Sequence, residues 1–238
     1  MFLALDTATD RASLALGAPG AAPVEETISG SRRHAGALLP AIRALLRRAG
    51  ASLDDLTGIV LSDGPGSFTG LRVGAAVAKA LAHTRGFPLW IAPSLMVRAA
   101  GVARDGETVL AISNALRGEV YAAAYRFLPG EIVVELAPSV RRPDELMAGP
   151  LRPAVLVGEV PAGIAAALEG WAGRALIGPP DSDPRASSLL ALVSQTGGAT
   201  RVERVAEWEP VYGRPAEAQT RWEMAHGRPL SDPVGNPR

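Results

Sequence analysis

The chain has no cysteine, three histidines and no excess of either charge, its 24 Lys and Arg residues balancing 24 Asp and Glu. Lacking cysteine, it has no disulfide framework, thiolate zinc site or cysteine nucleophile, a composition that fits a reducing cytoplasm. His34, His83 and His226 include no pair four residues apart, and Leu38 stands where a second ligand beside His34 would be. The His pair of a metallopeptidase helix is therefore absent. Charge neutrality removes the basic stripe by which a protein grips nucleic acid unaided. Arg32-Arg33, Arg47-Arg48 and Arg141-Arg142 are pairs only, suited to a solvated surface, so any RNA would be gripped by another subunit. Long apolar runs are missing too. The longest candidate, Ala35 to Gly50, is broken by Arg43, Arg47 and Arg48, short of the roughly 20 residues a spanning helix needs. MFLALDTATD has no basic flank of a secretory signal. The expectation is a soluble, cytoplasmic protein with no membrane partner. Lysine occurs once, as Lys79 among alanines, which reads as a bias toward arginine rather than as a catalytic amine.

What is present is a globular balance, 47% hydrophobic and 20% charged over 238 residues. Such a chain buries roughly 70% of its unfolded surface. Three short strands are predicted in the first thirty residues, at Phe2 to Leu5, Ala12 to Leu16 and Val24 to Ile28. A helix over His34 to Ala49 follows, with Leu38, Leu39, Ile42, Leu45 and Leu46 on one stripe and Pro40 inside it. Then come a strand (Leu56 to Leu61), a helix (Leu71 to Arg85), a strand (Leu89 to Ile91) and a helix (Ser94 to Ala103). The order repeats. Strands at Thr108 to Ser113, Glu119 to Phe127 and Glu131 to Leu136 lead into a short helix at Pro143 to Met147. A strand (Ala154 to Val157), a helix (Pro161 to Trp171), a strand (Ala175 to Ile177) and a helix (Pro184 to Ser194) complete it. Two copies of one strand-strand-strand-helix-strand-helix-strand-helix order predict an α/β, duplicated, actin-like two-lobed fold of the ribonuclease H-like class. Residues 1–105 would form the first lobe and 106–200 the second. Residues 201–238 would be a polar, proline-rich segment, loose after about 214.

Two loops of the first lobe could carry chemistry. Gly64, Gly66 and Gly70 permit tight turns and close backbone approach between a strand and a helix. Ser67 and Thr69 add hydroxyl donors and Arg72 a charge, a set suited to phosphate at a helix start. The glycine spacing matches neither the dinucleotide fingerprint nor the Walker loop, and a turn serving only helix packing explains it equally. The first strand ends at Asp6-Thr7-Ala8-Thr9, where Asp6 and the two threonines would face a nucleotide or, more simply, make an Asx-type turn. The corresponding second-lobe loop has Asn114 instead of a carboxylate, so only half of a nucleotide clamp is present. On the second helix, Gly70, Gly74, Ala78 and Ala82 form a ridge of small residues beside Val73, Val77 and Leu81. With the first-helix stripe this leaves two readings: both stripes bury against their own sheet, or the lobe carries more apolar helix surface than one sheet covers and the excess is a helical partner interface.

The run Asp63-Gly64-Pro65-Gly66-Ser67-Phe68-Thr69-Gly70-Leu71-Arg72-Val73-Gly74 resembles the signature of the TsaB (YeaZ) family, accessory subunits for threonylcarbamoyladenosine synthesis on tRNA. Leu5 to Thr9, His34 with Leu38-Leu39-Pro40, Arg117 to Tyr121, and Glu209 to Arg214 are similar to further stretches of that family, in order. The resemblance implies a non-catalytic subunit that dimerises with a catalytic paralogue, TsaD, and assembles with the ATPase TsaE. The complex modifies the adenosine 3′ of the anticodon, and contact with tRNA is made through it. It implies no cofactor on this chain, ATP or ADP entering only at the level of the complex. The first-lobe helices would form the interface, through His34, Leu38, Leu39, Ile42, Leu45, Leu46, Arg72, Val73, Gly74, Val77, Ala78 and Leu81, and the same face would serve a homodimer. Asp6, Thr7, Thr9, Gly64, Gly66, Ser67, Thr69 and Gly70 would be vestigial phosphate loops, with no catalytic and no metal-binding residue. Asn114 and Leu116 depart from the family's common Asp and Arg. The rival reading is a weak ATPase or phosphotransferase using Asp6 and the glycine loop.

Overall fold

The computed structural model describes residues 1–30, 34–213 and 225–227. The tail after 214, read above as loose, lies outside the described residues apart from the last three of these. The strands are β1 (Phe2–Asp6), β2 (Arg11–Gly17), β3 (Val24–Ser29), β4 (Gly58–Ser62), β5 (Leu89–Ala92), β6 (Thr108–Asn114), β7 (Val120–Leu128), β8 (Glu131–Arg141), β9 (Val155–Glu159), β10 (Leu176–Ile177) and β11 (Thr200–Arg201). The helices are α1 (His34–Arg48), α2 (Phe68–Arg85), α3 (Ser94–Ala100), α4 (Pro143–Ala148), α5 (Ala162–Ala172) and α6 (Ala186–Leu192).

The predicted duplication is realised in the sheets. Sheet A runs β11-β5-β4-β1-β2-β3 and sheet B runs β10-β9-β6-β7-β8. In each, a central strand (β1 or β6) is antiparallel to the next strand of its meander and parallel to the strand after the first helix. Only β11, antiparallel to β5, has no counterpart.

Strand alternation decides what lies between the sheets. Along one face of sheet A the side chains are small, Ala4, Ala15, Val60 and Ala92, and this face joins the cluster that holds α3, α6 and sheet B residues Val109, Ala111, Ala123 and Tyr125. Small residues let the two short helices approach the sheet closely. The opposite face carries the bulk, Leu3, Leu5, Leu14, Leu16, Ile59, Leu61 and Leu89, and packs under α1 and α2. On the far side of sheet B, Leu110, Ile112, Leu156 and Leu168 form a third cluster with α4 and α5. The molecule is thus five layers deep. From sequence positions beyond 106, α6 packs on β1 and β2 of sheet A.

The α1 stripe lies mostly inside the chain itself. Leu38, Ile42, Leu45 and Leu46 are buried in this chain's own outer core, and Gly74 and Ala78 of α2 are buried as well. A 15-residue helix beside a sheet buries its broadest apolar face there first, because each fully buried Leu or Ile contributes about 1.5–3 kcal/mol. What stays outside is Leu39, 53% exposed, with exposed Arg72 and half-buried Val73, Val77 and Leu81. His34 opens α1.

This inside-outside assignment predicts a contrast. Leu45→Ala should cost about 2–5 kcal/mol, whereas Leu39→Ala should stay within about 0.5 kcal/mol of the parent. Urea midpoints of the two variants check it, and equal losses would place the stripe wrongly.

Candidate functional site

The motifs singled out in the sequence converge on the seam at the ends of β1 and β4. Helix α2 starts at Phe68, three residues before the expected Leu71, because Ser67 caps it: its Oγ accepts the Gly70 amide (3.3 Å). Thr69 and Gly70 are therefore helical, and Ser67 is spent on the cap.

The glycines face the chain itself. Ser67 N–H donates to the Ala8 carbonyl (2.7 Å). A methyl at Gly66 would sit 2.4 Å from Ala8 O, at Gly70 2.0 Å from Thr7 O, and at Gly74 2.3 Å from Thr7 Oγ1. Three glycines thus let the start of α2 lie against the Thr7-Ala8 turn, the packing reading of the loop. Gly64 has φ +110°, and a methyl there would meet Val211 O at 2.0 Å. Ser94 closes the loop from below, its Oγ accepting the Gly64 amide (3.0 Å) while its own amide donates to Gly64 O (2.8 Å). From above, Val211 N–H donates to Asp63 O (2.7 Å). Tyr212 lies 4.7 Å from the Phe68 ring, which the Arg72 guanidinium approaches at 5.4 Å.

The Asp6–Thr9 turn holds itself. Asp6 Oδ1 accepts the Ala8 amide (3.1 Å), and Thr9 Oγ1 donates to Arg11 O (2.8 Å). Asp6 is in phase with Ala4, so its carboxyl enters the inner layer, while Thr7 faces α2. Both are fully buried; Asp6 Oδ2 and Ser62 Oγ face each other without a well-formed hydrogen bond, and Thr7 Oγ1 has no hydrogen-bond partner.

Sequence reading missed the inner-layer groups around this turn. Arg98 of α3 is buried and donates from Nη1 to Ser182 Oγ (3.0 Å). Arg11 bridges to Asp183 (3.3 Å), and Ser13 Oγ accepts the Ala186 amide at the start of α6 (2.9 Å). Burial pushes Asp6 up to about 6, opposed by Ser62, the Ala8 amide and Arg98 and assisted by Asp183. Burial likewise raises Asp63 to about 6 and lowers Arg98, against the pull of Asp6, Asp183 and Glu159. The Tyr125 hydroxyl, unpartnered between the sheets, is raised by burial and by Asp63. The one signal for these groups was Arg98, a lone charge in an otherwise uncharged helix, SLMVRAA.

Chemically, this is a closed seam. Its guanidinium is internal, its carboxylates are held toward neutrality, and its glycine loop is filled by its own backbone. Among the described residues, no group of three or more His, Asp or Glu side chains could hold a metal ion, and no helix is long and apolar enough to cross a membrane.

Fold and seam together define a two-lobed actin-like protein whose interlobe loops close on themselves. A family model described as TsaD, tRNA N6-adenosine threonylcarbamoyltransferase, matches residues 26–164. The tRNA threonylcarbamoyladenosine biosynthesis protein TsaB of Bacillus subtilis (strain 168) is 28% identical over 225 residues, 92% of this chain and 96% of that protein. TsaB of Escherichia coli (strain K12) is 39% identical over 126 residues, 52% of this chain, so the match spans about half, 54%, of that relative. Among solved structures, YeaZ from Pseudomonas aeruginosa superposes with a TM-score of 0.69 at 28% identity, covering 89% of this chain and 98% of that one. A crystal structure described as a protein with similarity to peptidase YeaZ from Pseudomonas aeruginosa gives 0.71 at 30% identity, covering 90% and 99%. The chain belongs to the TsaB (YeaZ) family.

Two outcomes test the seam. Gly→Ala inside a helix ordinarily gains up to about 1 kcal/mol, but Gly70→Ala should lose about 1–3 kcal/mol, because the methyl meets backbone. A neutral or stabilised variant in thermal unfolding would refute the close approach. For Asp63, the native carboxyl holds its proton more tightly than the unfolded chain, so stability falls as pH rises from about 4 through about 6. Asp63→Asn should therefore be more stable than the parent by about 1–3 kcal/mol at about pH 8, with the gain vanishing near about pH 4. Denaturant midpoints across that range read the sign.

Proposed function

We propose that this chain is the non-catalytic subunit of the complex that makes N6-threonylcarbamoyladenosine on tRNA, and that it supports a TsaD-like catalytic paralogue by dimerising with it. A TsaE-like ATPase completes the assembly, and tRNA is met through the complex. The chain needs no cofactor of its own, ATP or ADP entering only where subunits join, and it works in the cytoplasm. The observation that carries this reading is the packing of the glycine loop on its own chain: Gly64, Gly66 and Gly70 lie against Val211, Ala8 and Thr7 backbone, and the Gly64 and Ser67 amides are bonded within the chain. Family membership and the TsaB names of the relatives support the pathway.

The docking face is narrower than the sequence suggested. It comprises Leu39 on α1 and Arg72, Val73 and Val77 on α2, the part of the stripe that the chain's own core leaves uncovered. An exposed Leu costs little to replace in the isolated chain, so Leu39→Asp is a clean probe of docking. The variant should keep its unfolding midpoint while co-purification with the paralogue drops at least tenfold. Retained pairing by a folded Leu39→Asp chain would reject this face. Titration of the isolated chain with magnesium-ATP should show no saturable micromolar heat, and heat that disappears in Asp6→Ala would establish the ATPase reading instead.

A further inference from the structure

Residues 200–213 fall outside both copies of the element repeat, yet they touch both lobes. β11 extends sheet A at β5, and Val202 N–H donates to Leu89 O (2.8 Å). The chain then crosses α2, laying Val202, Val205 and Trp208 on the outer core. There Lys79 fastens it: Nζ contacts Glu209 Oε1 (2.6 Å), reaches Ala206 O (3.5 Å) and stands 5.8 Å over the Trp208 ring. Past the Val211–Asp63 bond the segment arrives at Gly213, where a methyl would lie 2.6 Å from the Tyr121 ring of β7 and 3.0 Å from Pro65. The segment is anchored on sheet A, fastened on α2 and ends against sheet B.

It ends there at the part of the seam that the apolar inner layer does not fill. Asp6, Ser62 and Asp63 lie at that rim, where Asp6 Oδ2 and Ser62 Oγ lack a well-formed hydrogen bond, and buried polar groups of that kind hold two lobes together poorly. We propose that residues 202–213 are a clasp that closes the rim and fixes the angle between sheets A and B, so that the two lobes do not hinge as separate bodies. Three contacts do the fastening. Lys79 with Glu209 holds the middle, the Val211 amide on the Asp63 carbonyl holds the mouth, and Tyr212 on Phe68 with Gly213 on Tyr121 holds the end.

The absence of cysteine makes the test free of background. Spin labels on introduced cysteines at Glu25 in β3 and Ala137 in β8, both exposed, report the distance between lobes in the full chain, while amide exchange reports the seating of residues 203–213. The parent should give one narrow distance and slow exchange of the clasp. Lys79→Met with Val211→Pro should speed exchange of residues 203–213 at least tenfold, leave β6 and β9 protected and at least double the width of the distance distribution. Glu209→Gln, a surface change that preserves the fold, should move both readouts the same way by less. A released clasp with an unbroadened distance overturns the proposal. So does unchanged exchange in the double variant, since the named contacts would then not be what seats the segment.

Discussion

The close approach between the start of α2 and the turn after β1 is the constraint the rest answers to. No side chain fits between Gly66 or Gly70 and the Thr7-Ala8 backbone, or between Gly74 and the Thr7 side chain, so α2 lies nearly in contact with the strand ends. That position lets Ser67 cap the helix and bond back to Ala8. It also places Phe68 and Arg72 beside Tyr212. The same closeness turns the glycine loop from a cradle into a joint. A loop of this composition binds an anion when its amides point into open space. Here the Ser67 amide is used by Ala8, the Gly64 amide by Ser94 and the Gly70 amide by Ser67 itself.

A second constraint comes from side-chain size. The inward face of sheet A is built from Ala4, Ala15, Val60 and Ala92, and the outward face from leucines and isoleucines. Short helices α3 and α6 therefore nest between the sheets, and the longer α1 and α2 cover the outside. The layered core ends where Asp6 follows Ala4 and Ser62 follows Val60 on the same face. From there polar groups replace methyls, and Arg98 is the buried charge that faces them.

The order of elements was legible because Gly and Pro punctuate almost every junction and because period two and period 3.6 alternate cleanly along the chain. Two three-stranded meanders, each extended by parallel strands into a sheet of one shared topology, followed from that order. Which surface covers an apolar stripe was not legible. Leu38, Ile42, Leu45 and Leu46 announce a buried face at helical spacing, but periodicity does not say whether the cover is the chain's own sheet or another protein. Ser67 looked like a ligand donor because its cap depends on where the helix begins, which hydrophobic pattern alone does not locate. Lys79 gave no local sign of a role, since Glu209 is 130 residues away. Trp208 and Tyr212 lie in the stretch read as ordered up to about 214, for aromatic rings in polar surroundings are seldom left in water, but what they pack against was not legible.

Lysine's rarity has a practical corollary. Reagents that couple to ε-amines find one target in the whole polypeptide, and it sits on α2 beneath the C-terminal segment, with its side chain about one quarter exposed, 24%. Cross-linking maps built on amine chemistry will be sparse for this chain, and a side-chain adduct on it will have been made by prising Lys79 from Glu209. Guanidine-directed reagents report its neighbours without modifying either partner of that contact.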